Sequence, residues 1–155
     1  MERRAADRRE IHVAPDRFEV TAEDAILTTE LKSAVAVCMY DAAEEAGALL
    51  HLRCIIRAAK PLDVTDTTLA TELLLLDRCL EALRAAAPAA RQLQARIVAH
   101  LSESAHARPV CETVMNVVRH YLTDAGVQML PEDVAAGPVR TLRFRPGMGW
   151  VHTRA

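Results

Sequence analysis

Residues 33–40 read Ser-Ala-Val-Ala-Val-Cys-Met-Tyr, and residues 48–56 read Ala-Leu-Leu-His-Leu-Arg-Cys-Ile-Ile. Ala34–Tyr40 is a short unbroken apolar run, rich in valine and bounded by polar residues. That pattern marks a strand covered on both faces. Asp41–Gly47 is polar and closes on a glycine. The chain then resumes as a second strand, so the two runs form a β-hairpin with a longer loop.

Working outward, Ile11–Val20 is broken by Pro15-Asp16 and reads as two short extended pieces around a turn. Ala25–Thr29 is a further apolar approach. Val64–Ala87 is helical, with Leu69, Leu73, Leu76, Leu80 and Leu83 at three- and four-residue steps. Asp66 is its N-cap and Pro88 its stop. Leu93–Leu101 alternates: Leu93, Ala95, Ile97, Ala99 and Leu101 face one way, which predicts a half-buried strand. Pro109–Ala125 is a second helix, stopped by Gly126, with Val110, Val114, Val117, Tyr121 and Leu122 as its buried stripe. Val127–Leu130 is a short strand. Val139–Arg145 and Trp150–Thr153 close a hairpin around Pro146-Gly147-Met148-Gly149. Arg140, Arg143 and Arg145 read as a solvated sheet face in that hairpin. Strict βαβ alternation is absent. The expected fold is therefore a single-domain layered α/β sandwich of the α+β type over residues 10–155, preceded by a charged tail over 1–9.

Composition narrows the function classes. A chain of 155 residues that is 51% hydrophobic and 26% charged can bury a core without staples. A net charge of -2 offers no basic field for nucleic acid or a membrane surface, and no apolar run is long enough for membrane insertion. Residues 1–10 lack the apolar stretch of a signal peptide, so a cytoplasmic location is expected. Reduced thiols are the matching expectation for Cys38, Cys54, Cys79 and Cys111, none of which forms a CxxC pair. His100 and His106 lack a third ligand at plausible spacing, so no metal site and no cofactor is predicted.

Thr28–Asp41 reads TTELKSAVAVCMYD, and with GALLH at 47–51 it resembles the CheD family of chemoreceptor glutamine deamidases. The likeness extends through Asp66-Thr67 and Ala95–Ile97 to YLTDAGVQMLPED at 121–133 and to Arg140–Gly149. The resemblance implies an α/β sandwich, a chemotaxis role, and partners among chemoreceptor cytoplasmic helices or a CheC-type phosphatase. It also implies a chemistry. A cysteine thiolate attacks a glutamine carboxamide, ammonia leaves, and water hydrolyses the thioester. A histidine serves as base, a threonine orients it, and backbone amides hold the oxyanion.

Residue by residue, the resemblance puts the orienter at Thr28, the base at His51 and the nucleophile at Ala34. A methyl group cannot attack a carbonyl. Cys38 lies four residues along the same strand face, about 13 Å away, beyond reach of the base. Cys54 faces the opposite side from His51. Thr28, Thr29 or Ser33 acting with His51 is a remote alternative. Further departures accompany Ala34: Lys32 replaces the glycine before Ser-Cys, Ala99-His100 replaces a Gly-Gly loop, Ala135-Ala136-Gly137 departs from a second one, and Cys111 replaces a glycine. Glu30, Lys32, Ser33 and His100 would line the partner or substrate face. Two readings stay open: a pseudoenzyme that binds a signalling partner, or an active deamidase captured with alanine in place of its cysteine.

Overall fold

The structure is a computed structural model that describes residues 9–54, 69–104 and 107–155. Its elements in chain order are β1 (Arg9–His12), β2 (Arg17–Thr21), β3 (Ala25–Leu31), β4 (Ala34–Asp41), β5 (Ala46–Arg53), α1 (Ala70–Ala86), β6 (Gln94–Leu101), α2 (Ala107–Asp124), β7 (Gln128–Met129), β8 (Asp133–Ala136), β9 (Arg140–Arg145) and β10 (Trp150–Arg154). One sheet has the order β1-β3-β9-β10; the other runs β2-β5-β4-β6, with β7 and β8 both parallel to β6. This is the α+β sandwich that the alternation pattern predicts.

Three layers result. On one face of the larger sheet, Val35, Val37, Leu50, Leu52 and Ile97 pack against Leu76, Leu80 and Leu83 of α1 and Val114, Val118 and Leu122 of α2. On its other face, Ala34, Ala36, Cys38, Leu49 and Val98 meet Leu27, Leu31, Leu142 and Phe144 of the smaller sheet. Every residue of β4 is buried. Apolar side chains on both faces of a strand must be covered, and the two layers do this.

Several expectations need correction. β6 is buried on both faces from Ile97 onward, because the smaller sheet covers the side that carries Val98 and His100. The α2 stripe is Val110, Cys111, Val114, Met115, Val118 and Leu122; Val117 and Tyr121 lie at its margin, beside Leu73 of α1. Arg140 is not on a solvated face. It shares the inward parity of Leu142 and Phe144, and its guanidinium is held by Asp133 Oδ1 at 2.8 Å, Thr153 Oγ1 at 2.9 Å and the Ala99 carbonyl at 3.0 Å. β8 was not foreseen from the sequence. Arg9 already belongs to β1, and the rest of the expected tail lies outside the described residues, as do the expected N-cap Asp66, the start of the first helix, Ile55-Ile56 and His106. Cys54 and Cys111 form a disulfide with Cα atoms 5.1 Å apart, against the expectation of reduced thiols. Among the described residues no helix is long and apolar enough to cross a membrane.

The β9–β10 turn closes over the β4–β5 end, and two glycines permit the approach. A Cβ on Gly47 would meet Pro146 and lie 2.7 Å from the Met39 carbonyl oxygen; Gly149, at φ 60°, would bring one to 2.7 Å from the Tyr40 ring. Gly47→Ala is expected to lower unfolding free energy by about 2–3 kcal/mol, the cost of overpacking against backbone. Gly126→Ala, at φ 83° but in open space, should cost only the left-handed penalty of about 1–2 kcal/mol. Urea denaturation of the two variants checks the order. Thiol titration of the unfolded, unreduced protein should count two free cysteines, Cys38 and Cys79.

Candidate functional site

β3, β4, β5 and β6 converge where the two sheets face each other. In the antiparallel register, Ala34 stands between Arg53 on β5 and His100 on β6, and Ala36 stands opposite His51. Residues 34, 51 and 100 thus share one sheet face, with His51 diagonal to Ala34. A diagonal neighbour lies within reach of a longer side chain.

His51 is 2% exposed, and its Nδ1 is 2.7 Å from Thr29 Oγ1. The Thr29 hydroxyl donates its single proton to the Val13 carbonyl at 2.7 Å. Thr29 can therefore only accept from the ring, so Nδ1 carries the proton. Nε2 keeps its lone pair, and no hydrogen bond among the described residues uses it. That is the tautomer a general base requires. The expected orienter, Thr28, is not the partner: it pairs with His12 and Arg143 in the smaller sheet with the opposite parity. The signal was available in the sequence. Ala25, Leu27 and Leu31 set the inward parity of β3, and Thr29 shares it.

Asp16 braces this region. Its backbone N–H donates to the His51 carbonyl at 2.9 Å, and its carboxylate accepts from Arg53 N–H at 3.0 Å and Arg53 Nε at 2.8 Å. Burial drives the His51 pKa from 6.5 down to about 4; the Asp16 carboxylate opposes the shift, while Arg53 and His12 add to it. The ring is neutral near pH 7.

Ala34 is fully buried within the inter-sheet core. Cys38 shares its face and is also fully buried, which pushes its thiol pKa well above the ordinary range. Cys79, on α1, is pushed up to about 12 by burial. Cys54 lies on the helix side, opposite His51, and is bonded to Cys111.

The expected face of Glu30, Lys32, Ser33 and His100 divides in two. Glu30 and Lys32 are exposed. Ser33 adopts φ 49°, and its Oγ is buried without a partner among the described residues. His100 is 6% exposed and has both ring nitrogens engaged, so it is no part of an open face. Among the described residues no group of His, Cys, Asp or Glu is arranged to hold a metal ion.

Fold and site together define an α+β sandwich with a buried, base-competent histidine beside a small residue. No family model matches the chain. A curated relative from Rhizobium meliloti (strain 1021), described as a probable chemoreceptor glutamine deamidase CheD, is 29% identical over 150 residues, covering 96% of this chain and 81% of the relative. The chain is CheD-like in sequence over nearly its whole length.

The depressed His51 pKa has a consequence for stability. Between about pH 6.5 and pH 4 the unfolded chain binds a proton at residue 51 that the folded chain refuses. Stability should fall through that window as pH drops, by up to about 3 kcal/mol, and level off below it. Urea denaturation across the window, compared with His51→Gln, isolates the component. Imidazole nitrogen shifts should report the Nδ1–H tautomer at neutral pH.

Proposed function

We propose that this protein is a CheD-like chemotaxis signalling protein that uses the deamidase scaffold as a binding module and carries out no deamidation itself. The observation that carries the reading is Ala34, fully buried at the nucleophile position, diagonal to His51. A carboxamide presented there meets no thiol. Cys38 lies beyond Ala36 on the same strand and is buried with a raised pKa. The other sulfurs sit on the helix side of the sheet. The partners are chemoreceptor cytoplasmic helices or a CheC-type phosphatase, engaged over the rim that exposes Glu30 and Lys32.

The preserved base favours a second reading, an active deamidase whose own residue 34 is cysteine. The thiol would pass its proton to His51 Nε2 and attack the carboxamide carbon. The proton would leave with ammonia, and water would split the thioester. Thr29 would position the ring in place of Thr28.

One set of measurements separates the readings. The purified protein is mixed with receptor cytoplasmic fragments and, separately, with a CheC-type phosphatase. Binding is followed by calorimetry, and receptor peptides are examined by mass spectrometry. The expected result is micromolar binding to one of them, weakened about tenfold by Lys32→Glu, with no glutamine converted. Conversion of glutamine by the unaltered protein would overturn the non-catalytic reading. Failure to bind either partner would overturn the binding role. Conversion by Ala34→Cys alone would favour the second reading.

A further inference from the structure

We propose that His100 locks this site: it takes out of use the Ser33 N–H, the backbone donor immediately before the nucleophile position, and pins the Lys32-Ser33 turn. The inference rests on the assignment of residue 34 made above and names a positioning residue that the sequence placed on the open face.

Four observations converge on Ser33. Its N–H donates to His100 Nδ1 at 2.8 Å. On the far side of the same ring, Nε2 lies 2.8 Å from the Gly137 carbonyl oxygen. A carbonyl only accepts, so Nε2 carries the proton and Nδ1 presents a lone pair to the amide. The Ser33 carbonyl is held as well, accepting from Cys54 N–H at 2.9 Å. Finally, Ser33 sits at φ 49°, a conformation unfavourable for a residue with a Cβ, so something must hold it there. The two hydrogen bonds on its peptide groups do so.

The consequence is chemical. A tetrahedral intermediate at residue 34 needs N–H donors aimed at its oxyanion and free to act. The Ser33 N–H already has an acceptor at good distance. An oxyanion could recruit it only by displacing a buried imidazole lone pair that would then lack a donor. His100 itself is fixed at its other nitrogen by Gly137, which at φ 101° holds the turn between β8 and β9. Recruiting the Ser33 N–H to an oxyanion at residue 34 would therefore require the His100 contact to break.

The test compares Ala34→Cys with Ala34→Cys/His100→Gly and Ala34→Cys/His100→Gln. The readouts are iodoacetamide labelling of the introduced thiol as a function of pH, and hydrogen exchange of the Ser33 amide. Glutamine can accept the Ser33 N–H through its side-chain oxygen, so it is the conservative control. We expect slow labelling in Ala34→Cys, at least tenfold faster labelling near pH 7 once His100 is glycine, and slow labelling again with glutamine. Ser33 exchange should rise in parallel, while labelling of Cys38 and Cys79 stays unchanged. Unchanged Ser33 exchange with and without the His100 change would overturn the proposal, as would a general rise in labelling at Cys38 and Cys79. If the glycine variant does not fold, the unaltered protein decides: a fast-exchanging Ser33 amide or a proton on His100 Nδ1 would overturn it. No receptor or phosphatase enters the experiment, so failure of the binding role leaves this outcome intact.

Discussion

β4 has no solvent face, and most of the structure follows from how its two faces differ. Toward the helices it presents Val35, Val37 and Met39; toward the smaller sheet it presents Ala34, Ala36 and Cys38, with Tyr40 against Phe144 only at its end. Large side chains on one face fill the deep helix-side core. Small ones on the other let the second sheet approach, and they leave the space beside Ala36 that the His51 imidazole occupies. A larger residue at position 36 would push the ring away from Thr29. The site is thus a by-product of packing small against large across one strand, and it is rigid because interiors have little free volume.

The same strand explains what the sequence could and could not tell. Ala34–Tyr40 is legible because an unbroken apolar run has few alternatives, and the hairpin follows from the polar loop that ends in Gly47. Helix α2 is legible from its spacing, but the periodicity does not say which of two adjacent stripes is buried; sheet contact favours Cys111, Met115 and Val118 over Val117 and Tyr121. Val98 and His100 alternate like solvent-facing residues and are covered only because a distant sheet folds over them. Arg140 is polar and buried, which no local pattern predicts; Asp133 and Thr153, from two other strands, make its burial tolerable. Strand parity points to Thr29 as the threonine that faces His51, whereas the family likeness points to its neighbour Thr28. The Cys54–Cys111 pairing joins residues 57 apart in sequence, and spacing alone does not reveal it.

At the site, two histidines on one sheet face adopt opposite tautomers, each forced by a carbonyl that can only accept. Val13 dictates, through Thr29, that His51 is protonated at Nδ1; Gly137 dictates that His100 is protonated at Nε2. Among the described residues, one ring is left with an unused lone pair and the other has none. The His51 ring has an Nε2 lone pair that no hydrogen bond among the described residues uses, while the Ser33 N–H is committed to His100. These are separable properties of one location, and a substitution that alters one need not touch the other.

A histidine at residue 51 therefore does not by itself argue for turnover. The chain from the Val13 carbonyl through Thr29 Oγ1 to His51 Nδ1 links the smaller sheet to β5 of the larger one, across an interface that Arg140 of β9 also bridges, to Ala99 of β6 and Asp133 of β8. Removing the ring would open a cavity between the sheets, at a cost of about 2–5 kcal/mol, while the Thr29 hydroxyl would keep its bond to Val13. A protein that had ceased to deamidate would still have reason to keep the histidine, whereas a methyl group at residue 34 packs without penalty in the core it already occupies. On the proposed reading, stability alone accounts for a histidine at residue 51 beside an alanine at residue 34.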